Sequence, residues 1–187
     1  MLNPTPHNNT TVIIPAFNEE AVIKAVIADL QSFPYTIIVV DDASASPLRD
    51  VLSGMEVTVL RHQVNLGQGA ALQTGIEYAL QQGAAYIVTY DADGQHQPQD
   101  IGKLLAPLLA NEADITLGSR FLEGASHNMT SARKGTIQLA RGLNYFFTGL
   151  LLTDAHNGLR AMTAKTASLV HLRENRMAHA TEFLSII

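Results

Sequence analysis

The sequence predicts an α/β fold with helices on both faces of a mainly parallel sheet, and two observations support this prediction. Short apolar or β-branched runs alternate along the chain with longer segments of helical spacing, which is typical of successive βαβ units. Polar clusters follow immediately after three of the predicted strands. Because parallel strands end at the same edge of a sheet, and ligands bind beyond that edge, this pattern also predicts a single crevice.

The first half of the chain supplies three strands and three helices. Residues 10–14 are β-branched and end at Pro15, and Asn18 is expected to cap a helix over residues 19–31. The remaining predictions are a strand at 36–40, a short helix at 48–52, a strand at 57–60, and a loop and long helix within 61–83.

The second half begins with a strand at residues 86–90, which are apolar, aromatic and β-branched. A helix over residues 98–110 has Pro98 near its first turn, and Pro107 predicts a break or an early end. The remaining predictions are a strand at 114–117, a loop at 123–129, a mostly helical segment at 131–152, turns at 153–158, a strand at 159–162 and a helix at 164–172.

Length and composition are those of one compact domain. The chain has 187 residues, of which 47% are hydrophobic and 16% charged, so it can bury a sizeable core and is not a disordered chain. Its net charge of −5 and its lack of a basic stripe give no reason to expect a nucleic-acid partner. The absence of cysteine excludes disulfides and thiolate metal sites, and agrees with a cytoplasmic protein.

The two ends of the chain and its apolar runs bear on location. Residues 1–9 lack the basic and apolar regions of a signal peptide and are expected to be flexible. Every apolar run falls short of the about 18 residues that span a bilayer. Residues 181–187 stop within an apolar stretch, so we expect the natural chain to continue. We therefore expect one domain over residues 1–187, in the cytoplasm or at the inner face of the membrane.

Two carboxylates, Asp91 and Asp93, follow the fourth predicted strand. Residues two apart at the end of an extended run point the same way, and their charges would repel. A divalent cation removes that conflict, and Mg²⁺ or Mn²⁺ suits oxygen ligands. For this motif alone, the alternative that both aspartates only cap the next turn stays open. His96 flanks the motif and is expected to bond to backbone rather than to a metal.

Polar clusters at three strand ends, residues 15–19, 41–44 and 91–95, are expected to meet at one edge of the sheet. An acidic crevice binds an anionic nucleotide unfavourably unless a cation is present, so the convergence strengthens the metal hypothesis. The carboxylates are alternatively suited to accept hydrogen bonds from a base or ribose. The glycine-rich residues 65–71 match a dinucleotide fingerprint weakly, and either a tight turn or a ligand contact explains them.

An ordered set of motifs resembles the family 2 glycosyltransferases: VIIPAFNEE, VVDDAS, NLGQGAALQTGIEYA, YDADGQHQPQDI, GSRF and DAHNGLRAMT. The resemblance spans roughly residues 12–182 and is strongest to the branch of dolichyl-phosphate mannosyltransferase and bacterial polyprenyl-phosphate sugar transferases. It implies a GT-A fold, with a Rossmann-like sheet, and inverting, metal-dependent transfer from a UDP- or GDP-linked sugar. The implied acceptor is a polyprenyl phosphate or a saccharide of cell-envelope biosynthesis.

The resemblance also implies a role for individual residues. The nucleotide sugar is expected to contact residues at the three strand ends and the glycine-rich loop: Pro15, Ala16, Asn18, Glu19, Asp41, Asp42, Gly67, Asp91 and Ala92. The Mg²⁺ or Mn²⁺ ion is expected on oxygen ligands of one motif: Asp91, Asp93 and Gln95. The expected catalytic residues are Asp93, Arg120, Arg160 and Glu182. Arg120 and Arg133 are expected to hold the diphosphate and the acceptor phosphate.

The chain departs from the family pattern at several positions. Ala16 stands where the family often has an aromatic residue, and Ile137 stands in place of a serine. Glu182 is followed by Phe183, whereas many members have an aspartate that completes a base motif. A lipid phosphate is already anionic and needs no general base, so this departure favours a polyprenyl phosphate acceptor. Glu182 or Asp154 remains available as a base for a saccharide acceptor.

Residues 137–152 carry a broad apolar face with Arg133, Lys134 and Arg141 nearby, a pattern that suits a membrane surface. A buried core helix or a homodimer contact explains the same pattern.

Two rival functions also stay open. A sugar-phosphate nucleotidyltransferase needs a glycine- and lysine-rich loop after its first strand, where this chain has the acidic PAFNEE. The other rival is a domain that binds a nucleotide sugar without turning it over.

Overall fold

The computed structural model describes residues 9–119 and 157–172 of the chain. Six strands are present in these ranges: β1 Thr10–Ala16, β2 Thr36–Asp41, β3 Thr58–Arg61, β4 Tyr86–Thr89, β5 Ile115–Leu117 and β6 Arg160–Thr163. The helices there are α1 Ile23–Leu30, α2 Leu48–Val51, α3 Gln68–Gln81, α4 Pro98–Leu109 and α5 Ala164–Ala167. Each of these strands begins and ends within two residues of its predicted bounds.

The strands form one sheet in the order β3-β2-β1-β4-β6-β5. Strands β1 to β4 pair in parallel, and β6 runs antiparallel to both of its neighbours, β4 and β5. The prediction of a mainly parallel sheet is therefore confirmed. Ala16 lies opposite Asp41, and Asp41 lies opposite Arg61, so the loops after β1, β2 and β3 start side by side.

Helices cover both faces of this sheet, as predicted. Val12 and Ile14 of β1 pack in a buried cluster with residues of α1, α2 and α4. Ile13, between them in sequence, packs in a second cluster with residues of α3 and α5. Successive strand residues point to opposite faces, so β1 is buried on both sides. This burial explains why residues 12–16 of β1 are all apolar and do not alternate with polar residues.

Helix α1 begins at Ile23, four residues later than predicted, and the prediction that Asn18 caps it was wrong. The N–H groups of Val22 and Ile23 donate to the carbonyl of Glu19 in the turn that precedes the helix. Asn18 has a left-handed backbone with φ of 58°. Its Oδ1 accepts from the N–H of Ala45 at 2.8 Å, so the side chain joins the loops after β1 and β2 instead.

Two other helices differ from their predictions in length. Pro107 does not break α4, which ends two residues later at Leu109. Helix α5 ends at Ala167, although residues 164–172 were predicted to be helical. The segments predicted at 123–129 and 131–152 lie outside the described residues. Within the described part of the chain, no helix is long and apolar enough to cross a membrane.

Gly75 tests how tightly α3 packs on the sheet. An added Cβ at this position would overlap Cγ2 of Ile13 and lie 3.3 Å from Cγ2 of Val40, and both side chains are fully buried. We expect Gly75→Ala to lower the free energy of unfolding by about 1–3 kcal/mol, because overpacking a core forces neighbours to shift. Chemical denaturation measures this change.

Gly102→Ala is the matched control, since Gly102 also lies inside a helix but its added Cβ would meet no described atom within 4 Å apart from its chain neighbours and the backbone of its own helix. There we expect no loss, or a gain of about 0.5–1 kcal/mol from helix propensity. Equal denaturation midpoints for the two variants would contradict the close approach of α3 to β1.

Candidate functional site

An open cleft of about 460 Å³ lies at the carboxyl ends of β1, β2 and β4. Nine residues that the sequence singled out line it: Pro15, Ala16, Glu19, Asp42, Gly67, Asp91, Ala92, Asp93 and Arg160. The glycine-rich segment adds Asn65, Gln68 and Ala71 to the lining. Two further residues line the cleft: Phe17, which lies within the predicted cluster at 15–19, and Gly158, which was not predicted as a site residue. The predicted convergence of the three strand-end loops on one crevice is therefore what the structure shows.

The other predicted site residues fall into two groups. Asn18, Asp41 and Gln95 are described by the structure but do not line the cleft. Those outside the described residues are Arg120, Arg133, Asp154 and Glu182. Their predicted roles remain predictions.

Asp41 lies beneath the cleft, fully buried. One carboxylate oxygen accepts from the N–H of Ser44 at 2.8 Å, and the other accepts from the N–H of Leu48 at 3.1 Å and from the guanidinium of Arg61. Burial raises the pKa of Asp41, but these hydrogen bonds outweigh it and hold the pKa below its usual value. Both oxygens thus shape the loop between β2 and α2, and contact with a nucleotide stays a prediction for Asp41.

Asp42 lines the cleft, and its carboxylate holds the loop that enters α3. Oδ1 accepts from the N–H of Leu66 at 2.9 Å, and Oδ2 accepts from the N–H of Gly67 at 2.7 Å. Nδ1 of His62 lies 2.7 Å from Oδ1, while Nε2 of the same ring lies 2.9 Å from the hydroxyl of Thr74. A chain of polar contacts therefore connects the end of β2, through the ring, to the middle of α3.

No role was assigned to His62 from the sequence, because its spacing from the other histidines is not one that is typical of metal ligands. The signal that could have found it is strand pairing. Asp41 lies opposite Arg61 in the parallel pair of β2 and β3, so Asp42 and His62 are the first residues beyond two adjacent strand ends.

Asp91 is surrounded by groups from its own loop and from two other segments. Its Oδ1 accepts from Nε2 of Gln68 at 3.2 Å, and its Oδ2 lies 3.0 Å from Nε2 of His96. The expected bond from the His96 ring to backbone was therefore wrong. The backbone of Gly158 approaches so closely that an added Cβ would overlap the Asp91 carboxylate. These contacts fix the position of one strand-end carboxylate in the cleft.

Arg160, at the start of β6, is only 2% exposed although it lines the cleft. Burial lowers its pKa to about 10, and the charge of nearby Asp91 acts in the opposite direction. The guanidinium is therefore protonated at neutral pH. This buried positive charge lies near the Asp91 carboxylate in the cleft. A positive charge at that place would favour the binding of an anionic ligand.

Asp91 and Asp93 are the two predicted cation ligands that line the cleft. Asp93 is exposed, and its Oδ1 accepts from the N–H of Gln95 at 2.9 Å, which closes a turn. Among residues 9–119 and 157–172, no three His, Cys, Asp or Glu side chains are grouped to hold a metal by themselves. Mg²⁺ is commonly held by one or two carboxylates together with substrate phosphates. Two carboxylates in an open cleft fit that kind of site, whereas Gln95 does not line the cleft.

Comparisons with known proteins agree with this geometry. Residues 11–165 match the model of glycosyl transferase family 2. A UDP-N-acetylglucosamine–dolichyl-phosphate N-acetylglucosaminyltransferase of Methanococcus voltae is 33% identical over 94% of this chain and 78% of its own. A polyprenol monophosphomannose synthase of Mycolicibacterium smegmatis is 30% identical over 89% of this chain and 66% of its own.

One solved structure gives the fold. Glucosyl-3-phosphoglycerate synthase from Mycobacterium tuberculosis, in complex with Mn²⁺, UDP and glucosyl-3-phosphoglycerate, superposes with a TM-score of 0.72 at 20% identity. The match covers 94% of this chain and 63% of that one. Since the family model covers most of the sequence, the chain belongs to the family 2 glycosyltransferases, and the superposition shows that it has the GT-A fold.

Proposed function

We propose that the protein transfers a sugar from a nucleotide-diphosphate sugar to a polyprenyl phosphate, with inversion at the anomeric carbon and with a divalent cation. The observation that carries this proposal is the convergence of Glu19, Asp42, Asp91, Asp93 and Arg160 on one cleft from four separate segments. Relatives named for dolichyl-phosphate and polyprenol substrates support the lipid phosphate acceptor. A fold neighbour in complex with Mn²⁺ and UDP supports a UDP-linked donor and the cation.

Charge explains why this cleft needs a cation. Four carboxylates line it, and a nucleoside diphosphate brings further negative charge. A cation on Asp91 and Asp93 would offset the phosphate charge and stabilise the departing nucleoside diphosphate. Arg160 contributes a fixed positive charge, and a guanidinium forms strong charge-assisted hydrogen bonds to phosphate oxygens. Asp42 acts by holding the loop of Asn65 and Gly67 against the cleft.

In the proposed reaction, an oxygen of the acceptor phosphate attacks the anomeric carbon from the face opposite the diphosphate. A new carbon–oxygen bond forms while the bond to the diphosphate breaks, and the nucleoside diphosphate leaves with the electron pair. The nucleophile is already anionic, so no proton has to be removed. Arg120 and Arg133 are proposed to hold the phosphates. Glu182 is proposed as a catalytic base only for a saccharide acceptor, whose hydroxyl has to lose a proton. A lipid acceptor would place the reaction at the inner face of the membrane.

The direct test is an incubation of the protein with Mn²⁺, an undecaprenyl phosphate, and UDP-glucose, UDP-N-acetylglucosamine or GDP-mannose in turn. We expect a lipid-linked sugar phosphate, detected by mass spectrometry, with one of the donors. Hydrolysis of the donor without a lipid product would contradict the acceptor. Release of pyrophosphate from a nucleoside triphosphate and a sugar phosphate would instead support a nucleotidyltransferase.

Asp93→Asn tests the cation site, because the asparagine Oδ1 can still accept from the N–H of Gln95 and keep the turn. Only the negative charge is lost. We expect the affinity for Mn²⁺ in the presence of UDP to fall by at least about 100-fold, since losing an outer partner of a ligand already lowers affinity about 10- to 100-fold. Isothermal titration calorimetry measures this affinity.

Asp100→Asn is the matched control, since it removes one carboxylate that pairs with Lys103 on the exposed side of α4. It should leave the affinity for Mn²⁺ and UDP unchanged. If both variants bind alike, Asp93 is not a cation ligand.

Gly158→Ala tests the contact between the β6 side of the cleft and Asp91. The new methyl group would overlap the carboxylate and force it to move. We expect affinity for Mn²⁺ and UDP to fall by about tenfold or more, because ligand position sets metal affinity. Calorimetry measures binding, and Gly102→Ala controls for the added methyl. An unchanged affinity in Gly158→Ala would show that the position of Asp91 is not critical.

A further inference from the structure

The loop of residues 62–67 lines the cleft but has little apolar packing to hold it. Residues 63–66 are all exposed, with Val64 at 62% and Leu66 at 44%. The loop nevertheless carries Asn65 and Gly67 into the cleft lining. Since burial of its side chains does not fix this loop, polar contacts must do so.

Those polar contacts converge on Asp42. Its carboxylate accepts from the N–H groups of Leu66 and Gly67, and Asn65 Nδ2 lies 3.3 Å from its backbone carbonyl. Asp42 is only 3% exposed. A carboxylate removed from water needs a complete set of hydrogen-bond donors. His62 is the ring that completes the set.

The ring of His62 is held at both nitrogens. With a proton on Nδ1 it donates to Asp42 Oδ1, and Nε2 then accepts from the hydroxyl of Thr74. When both nitrogens carry protons, the ring donates to both groups. The backbone N–H of His62 donates to the carbonyl of Asp41 at 2.9 Å, so both the ring and the backbone of His62 are bonded to the end of β2.

We infer that His62 is a positioning residue that orients Asp42 and, through it, the loop of residues 62–67 that receives the nucleotide part of the donor. This inference rests on the proposed function for the identity of the ligand. His62 does not line the cleft, so it acts on binding through Asp42 and not on the reacting atoms. The hydroxyl of Thr74, on α3, contacts the ring on the side away from Asp42 and so helps to hold it in place.

Four substitutions test separately the contact of Nδ1 with Asp42 and the contact of Nε2 with Thr74. His62→Asn keeps a donor near the position of Nδ1 and loses the contact to Thr74. His62→Gln reaches towards Thr74 but loses the donor to Asp42, and His62→Ala removes both. Thr74→Val removes the hydroxyl with little change of shape. His171→Ala is the control, because His171 is an exposed histidine whose Nδ1 lies 3.1 Å from the carbonyl of nearby Leu169.

The first readout is steady-state kinetics with the active UDP-linked donor, Mn²⁺ and undecaprenyl phosphate. We expect the KM for donor to rise about tenfold or more in His62→Ala and His62→Gln, the effect of losing a hydrogen bond to a charged group. His62→Asn should stay within about threefold of the unmodified protein, and Thr74→Val within about fivefold. The kcat at saturating donor should change less than about twofold in all of them, and His171→Ala should change neither constant.

The second readout does not depend on any donor. Hydrogen exchange of the amides of Leu66 and Gly67 should accelerate in His62→Ala and recover in His62→Asn, while amides within α3 keep their protection. A kcat loss without a change in KM, or exchange rates equal in all variants, would overturn the inference. If the unmodified protein binds no nucleotide sugar, the proposed function fails, and the exchange rates still decide whether His62 holds the loop.

Discussion

The parallel pairing of β1 with both β2 and β4 is the constraint on which the cleft depends. Strand β1 is buried on both faces, so its register with its neighbours is fixed by packing on two sides. That register brings the residues after Ala16, Asp41 and Thr89 to one edge of the sheet. Helix α3 packs closely on β1 and β2 at Gly75, where it lies against the side chains of Ile13 and Val40. The positions of the cleft carboxylates follow from core packing more than from contacts among themselves.

The strand-end carboxylates are not equivalent, although they look alike in the sequence. The carboxylate oxygens of Asp41 and Asp42 contact backbone N–H groups and the side chains of Arg61 and His62. Asp93 is exposed and accepts from a backbone N–H two residues away. A buried, fully bonded carboxylate organises loops, whereas an exposed one keeps lone pairs for an incoming cation. Burial therefore separates Asp41 and Asp42, whose carboxylates hold loops, from the exposed Asp93.

Much of this was predictable because strand patterns and strand-end polarity are local features. The six strands and the convergence of the loops after residues 14, 40 and 90 follow from runs of a few residues. Two of the differences come from long-range contacts. Asn18 looked like a helix cap, but its side chain bonds to Ala45, which is 27 residues away. Gly158 is 67 positions from Asp91, and only the antiparallel pairing of β6 with β4 reveals their contact.

The nature of the acceptor can be argued from the same division of carboxylates. A general base needs a carboxylate that can accept a proton from the acceptor hydroxyl. Asp42 is committed to the loop, and Asp91 and Asp93 would share their charge with a cation. Among the described cleft residues this leaves Glu19, which lies on the loop after β1 that also contacts the segment after β2. An acceptor that arrives already ionised avoids the requirement. A phosphate on a polyprenol meets that condition, which supports the proposed lipid acceptor over a sugar hydroxyl, for which Glu19 would have to act as the base.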